Sequence, residues 1–129
     1  MTDSIKQQFE VYSNALRIRN NRNEILASNI ANAATPHFKA RDIDFDTEIK
    51  KYQQDGPIKV THDTHLAIKR SVAPGRVVFR KNVNPSLDGN TVELAVEQLQ
   101  FAENSMRYQS TLSFLSGKIN TLMSAIKGE

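Results

Sequence analysis

The sequence predicts a mainly α-helical chain. Two long terminal helices pack as a coiled-coil-like pair, and a middle segment between them holds a short helix and a small irregular or β-hairpin region. Three observations lead there. Apolar residues recur at alternating spacings of four and three over the first and last thirds, the mark of a helix seam. No proline interrupts either stretch. The four prolines (Pro36, Pro57, Pro74 and Pro85) all fall between them, where they punctuate turns. The divisions predicted are 1–35, 36–89 and 90–129.

The first helix is expected to start at Ser4, whose spacing to Gln7 suits a capping box. Its main seam runs Ile5, Phe9, Tyr12, Leu16, Arg19, Asn23, Leu26, Ile30, Ala33, with polar interruptions at Arg19 and Asn23. A second line holds Val11, Ala15, Ile18, Arg22, Ile25 and Asn29. Thr35-Pro36 stops the helix, because proline disfavours helical geometry in the residue before it. In the middle segment, Phe45, Ile49 and Tyr52 stand at i, i+4, i+7 with Asp44 and Asp46 early and Lys50 and Lys51 late. That pattern predicts a short helix over about 44–54, oriented as its dipole prefers. Gly56-Pro57 ends it. Strand-like pieces at 58–68 and 76–79, separated by Pro74-Gly75, suggest a hairpin within 57–81, followed by a turn-rich 82–89.

The last helix is expected to begin at Asn90, with Glu93 as reciprocal cap, after the turn signal Asp88-Gly89. Its seam is Leu94, Gln98, Phe101, Ser105, Tyr108, Leu112, Leu115, Ile119, Leu122, Ile126. A neighbouring line starts apolar (Val92, Ala95, Leu99, Ala102, Met106) and turns polar (Gln109, Ser113, Ser116, Asn120). Gly128 is placed to end the helix. The helix-pair seam thus rests on Phe9, Tyr12, Leu16, Leu26, Phe101, Leu112, Leu115, Ile119 and Leu122. Two helices cannot bury both lines of each against one another, so part of their packing is expected to be completed by other subunits.

Composition excludes several function classes. The 129 residues contain no cysteine, so disulfides and thiolate metal sites are absent. Net charge is +3, too weak to argue for nucleic acid. No cleavable signal pattern or membrane-length apolar run occurs. His62 and His65 in "THDTH" lie three apart, facing opposite sides of a strand, which is poor for chelation. Asp42, Asp44 and Asp46 lack the glycine and glutamate offsets of a calcium loop and read as helix caps. No phosphate loop or nucleophile elbow is present. No catalytic, metal or cofactor site is expected, and no small-molecule substrate.

One stretch carries more. "ASNIANAATPHFKARDIDF" (27–45) resembles the N-terminal signature of bacterial flagellar basal-body rod proteins, through Asn29, Ile30, Asn32, Thr35, Pro36, Phe38, Lys39, Arg41, Asp42, Asp44 and Phe45. "SLDGNTV" (Leu87, Asp88, Gly89, Asn90) and "FAENSMRYQ" (Asn104, Tyr108, Gln109) are similar to later segments of the proximal-rod branch. His37 stands where that signature usually has glycine; glycine would permit positive φ there, which His reaches only at a cost, so the turn is expected to differ locally from the signature's. The resemblance implies a structural subunit of the proximal rod, the hollow shaft that carries torque from membrane ring to hook. It also implies export through the flagellar type III channel without a cleavable signal, and a periplasmic location. Implied partners are other copies of the chain, neighbouring rod proteins, the adaptor FliE, and ring and export-gate proteins at the rod base. The motif residues are expected at the assembly interface, with the Asn29 and Asn32 amides bridging closely packed subunits beside Ala27, Ala31, Ala33 and Ala34. The competing expectation is a cytoplasmic helical adaptor that binds partner helices.

Overall fold

A computed structural model describes residues 2–54, 75–81 and 86–128. The chain runs α1 (Thr2–Ala31), β1 (Arg41–Ile43), α2 (Phe45–Gln54), β2 (Val77–Phe79), α3 (Leu94–Lys127). The architecture is mainly helical with a small two-stranded sheet in the middle, as the sequence predicts.

The 30 residues of α1 and 34 of α3 make rods of about 45 and 50 Å. They lie antiparallel. Near the closed end Asn29 meets Glu97, and farther along Arg22 meets Gln100 and Arg19 meets Asn104. The strands, α2 and the turn at 86–93 gather at that closed end, against the C-terminal half of α1.

The helix limits differ from the expected ones for local reasons. α1 is already helical at Thr2, so Ser4 does not cap it; the side chains of Ser4, Gln7 and Tyr52 lie outside the description. At its other end α1 tightens rather than stopping at the proline, with Ala33 N donating to Ile30 O and Thr35 N to Asn32 O. α3 begins at Leu94, not Asn90. Glu93 occupies the cap position in extended backbone without a capping side-chain bond, while Asn90 Oδ1 accepts from Val92 N at 2.8 Å ahead of the helix. Gly128 ends α3 in the left-handed conformation, φ 77°, as expected.

The small sheet gives the predicted strand at 76–79 a partner that the sequence did not mark as a strand. Val77–Phe79 pairs antiparallel with Arg41–Ile43, in the register Arg41 to Phe79, Asp42 to Val78, Ile43 to Val77. Arg80 N continues the ladder to Ala40 O at 2.9 Å. The expected strand at 58–68 lies outside the described residues. Gly75 lets the chain come close to β1, since a Cβ there would sit 2.6 Å from Ile43 Cγ2.

The buried centre is small and half polar. Ala15, Ile18, Leu26, Ala40 and Ile43 form its apolar part, and Arg19, Asn29, Glu48, Asn90, Glu97 and Asn104 are buried with them. The inward face of α3 therefore follows Glu97, Phe101, Asn104, Tyr108, Thr111 and Leu115. That line lies one residue away from several positions of the apolar seam. Leu112 and Ile119, expected in the seam, are exposed, and Phe9, Tyr12, Leu16, Phe101, Leu115 and Leu122 are half-buried. The polar side chains at 97 and 104 rotate the helix inward on themselves because each has several partners waiting.

Candidate functional site

The signature segments meet one another. Asn29, fully buried on α1, donates through Nδ2 to the Arg41 carbonyl at 2.7 Å and to Glu97 Oε2 at 3.0 Å. Its Oδ1 accepts from Arg41 N at 3.1 Å. The side chain thus pairs with both backbone groups of one β1 residue, as a neighbouring strand would, and ties that residue to α3. The Asn29 amide is engaged inside the chain, where the sequence reading expects a bridge between subunits. Asn32 acts locally: Nδ2 donates to Ser28 O at 2.8 Å and Oδ1 accepts from the Thr35 hydroxyl at 3.1 Å.

Asp42 is the second tie. Arg22 donates to it from Nε at 2.8 Å and Nη2 at 3.0 Å, and Arg80 from Nη2 at 2.5 Å. Arg80 also donates to Glu97 Oε1 at 2.8 Å, and Arg22 Nη2 to Gln100 Oε1 at 2.8 Å. One connected network therefore joins α1, β1, the end of β2 and α3. Burial pushes the Asp42 carboxyl up, but the hydrogen bonds from Arg22 and Arg80 outweigh it and hold it below the usual carboxylate range. Its role is not the helix cap expected of it. Asp44 does cap α2, through the Thr47 amide and hydroxyl.

Asn90 closes the end of α1. Its Nδ2 lies 3.2 Å from Asn32 O, 2.9 Å from Ala33 O and 3.0 Å from Thr35 O, adding a side-chain donor to the turn that follows the helix, where Asn32 O and Thr35 O also accept from Thr35 N and Phe38 N. Around it, His37 N donates to Asp88 O at 3.0 Å, Thr91 N to Phe38 O at 3.0 Å, and Lys39 Nζ to Gly89 O at 2.7 Å. His37 takes φ 62°, the conformation in which the signature's glycine would be easy. A Cβ on Gly89, at φ 72°, would lie 2.9 Å from His37 Nδ1, so the two turns fit only with glycine at 89. Farther along, Asn104 donates to Arg19 O at 2.8 Å and Asn23 Oδ1 at 2.7 Å.

The motif residues thus divide in two. Asn29, Asp42, Asn90 and Asn104 hold the subunit together, with Ile30, Phe38, Phe45, Gly89 and Tyr108 half-buried beside them. Thr35, Pro36, Lys39, Arg41, Asp44, Leu87, Asp88 and Gln109 face outward. Arg22, Arg80, Glu97 and Gln100 are partners that the sequence reading missed as a group. Only Arg22 drew attention there, as a member of a helix line; the pairing partners are far apart in the chain and carry no local signal.

The outer faces are unequal. Both apolar lines of α1 turn inward or lie at its margin, apart from exposed Ile5, leaving Lys6, Glu10, Ser13, Arg17, Asn20, Glu24, Ala27 and Ala31 outside. α3 instead leaves its whole second line exposed from Ala95 to Asn120. Leu99 is 66% exposed and Met106 69%, and Phe114 nearby is 67% exposed. Among the described residues no group of three His, Asp or Glu is placed to hold a metal, and no helix is long and apolar enough to cross a membrane. His62, Asp63 and His65 lie outside the described residues.

No protein-family model matches the chain. Curated relatives do. The flagellar basal body rod protein FlgB of Cereibacter sphaeroides is 52% identical over 124 residues, covering 96% of this chain and 97% of that protein. The FlgB of Aeromonas hydrophila is 42% identical, covering 100% of this chain and 99% of that one. That of Escherichia coli K12 is 40% identical, covering 98% of each.

Proposed function

This chain belongs to the flagellar basal body rod protein FlgB family, and from that premise we propose that it is a self-assembling subunit of the proximal rod. Copies of the chain and neighbouring rod proteins build the hollow shaft that transmits torque from the membrane ring to the hook. The subunit reaches the periplasmic space through the flagellar type III channel without a cleaved signal. The adaptor FliE and the ring and export-gate proteins meet it at the rod base.

The observation that carries this reading is the exposed line on α3. α1 is largely satisfied within the chain, whereas α3 presents Leu99, Ala102 and Met106 to the outside, then the small and polar Ser113, Ser116 and Asn120. Unlike faces on identical subunits give a contact that does not close on itself, and such contacts propagate as helical stacks. The polar positions fix axial register, which a purely apolar stripe does not supply.

Basal bodies isolated from cells carrying Leu99→Ser with Met106→Ser test it. The variant is expected to be made and exported at the wild-type level but to fall at least tenfold in purified rods. Wild-type rod content in that variant refutes the role of the face. Absence of the unaltered chain from basal bodies refutes the rod assignment itself.

A further inference from the structure

Arg19 is buried, and among the described residues it has no ion-pair partner. Its relative exposure is 8%, and its Nε has no hydrogen-bond acceptor. Among the described residues, its guanidinium makes one hydrogen bond, from Nη1 to Asn104 Oδ1 at 3.4 Å, at the long limit for such a bond. The guanidinium stands 3.9 Å from the centre of the Phe45 ring, a favourable cation–π contact but not a neutralising one. Burial, and then repulsion from Arg107 and Arg22, push its pKa down. Asp46 and Glu103 act on it through space, and among the described residues no carboxylate forms an ion pair with it.

The other arginines at this place are all paired. Arg22 is held by Asp42, Arg80 by Asp42 and Glu97, and Arg107 by Glu103. Together with Arg19 they line an open cleft of about 410 Å³ between α1, α3, β1 and the start of α2. Four arginines and four carboxylates face it, so it offers no net field to gather a polyanion such as phosphate or nucleic acid. What it offers is one unpaired planar fork, the group best shaped for a single carboxylate. An unpaired buried cation is costly, and adding the missing partner recovers that loss.

We infer that the Arg19 cleft is a socket for one Asp or Glu side chain presented by an adjacent rod subunit. This rests on the rod reading above. The incoming carboxylate enters the cleft that Arg19 lines and takes its guanidinium as partner, which requires the side chain to turn so that the buried Nε is exposed to it. Arg107 also lines the cleft, where it is paired with Glu103. The contact deepens the apolar docking of α3 with a directional one on the cleft side of the helix pair.

Arg19→Met separates this from a structural role. A merely structural arginine, once removed, weakens the isolated subunit. A socket arginine, once removed, leaves the isolated subunit as protected as wild type or better, because an uncompensated charge has gone, while rod content falls at least tenfold. Arg19→Lys, which keeps the charge but not the fork, restores part of it. In parallel, the Arg19 Nε–Hε resonance of the isolated wild-type subunit is followed in sodium acetate and in sodium chloride of equal ionic strength. It is expected to move with acetate alone. Normal rod content in Arg19→Met, loss of amide protection in that variant matching its loss from rods, or an Arg19 resonance indifferent to acetate each overturns the socket. Wild-type presence in basal bodies, scored in the same preparation, shows whether the rod reading stands apart from it.

Discussion

Replacing Asn29 by leucine distinguishes a tie inside the subunit from a bridge between subunits. The change keeps side-chain size and removes three hydrogen bonds, leaving Arg41 N, Arg41 O and Glu97 Oε2 without that partner. Arg41 lies at the surface, so its two backbone groups lose about 1 kcal/mol each, the low end for orphaned polar groups. Glu97 is fully buried and loses one of two donors to its carboxylate, worth about 2 kcal/mol more. The added leucine surface returns about 1–2 kcal/mol. The net loss is about 2–3 kcal/mol, roughly a 30- to 150-fold change in a local opening constant. Asn32→Leu removes only two local bonds near solvent and should lose about 1 kcal/mol, roughly fivefold. Native-state amide exchange of the isolated subunit, read over α1 residues 18–31, reports both. Exchange within threefold of wild type in Asn29→Leu, or a larger effect from Asn32→Leu, would falsify the internal-tie account.

Acid should release the network around Asp42. Its carboxyl is held below its unfolded value near 4, so its contribution is present above that value and disappears as pH falls through the folded one. Asp42→Asn should lower protection of β1 and β2 at pH 7 by about 2 kcal/mol and flatten the acid dependence, measured by exchange from pH 7 to 2. His37→Val forces a β-branched residue to φ 62° and should lose about 1–2 kcal/mol, whereas His37→Gly should not; thermal melts followed at 222 nm compare them. Gly117 has open space around its missing Cβ, so Gly117→Ala should stabilise the isolated α3 by about 1 kcal/mol. If neighbouring helices pack closely there, the same change lowers rod content, which immunoblotting of basal bodies measures.

The helices were legible because each repeats one simple rule over 30 residues or more. α2 was legible from three apolar positions and its ordered charges. β1 was not: Arg41–Ile43 is too short to show alternation, and its partner lies beyond α2 and residues 55–74. The other half of the expected hairpin, 58–68, lies outside the described residues, and the pairing of β2 with β1 was hidden for the same reason. Periodicity counts apolar residues and so passed over Glu97 and Asn104, which turn inward to meet Asn29 and Arg80, and Arg19 and Asn23. Asn29, Asn90 and Asp42 stood out as signature residues, but their partners are separated by 12 to 68 positions and only folding brings them together. Arg19 was visible as a polar interruption of a seam; that it has no ion-pair partner among the described residues could be known only from its surroundings.

The Asn90 amide reaches back 58 residues to Asn32, and this sets an order in time. A chain emerges from the ribosome N-terminus first, at about 5–20 residues per second. The first helix therefore waits roughly 3–12 s for the residue that closes its end. During that interval the turn after it has its own backbone bonds, Thr35 N to Asn32 O and Phe38 N to Thr35 O, but lacks the side chain that ties it to the rest of the subunit. The subunit becomes a settled body only when almost its entire length is at hand, so a partly delivered copy carries its own mark of incompleteness.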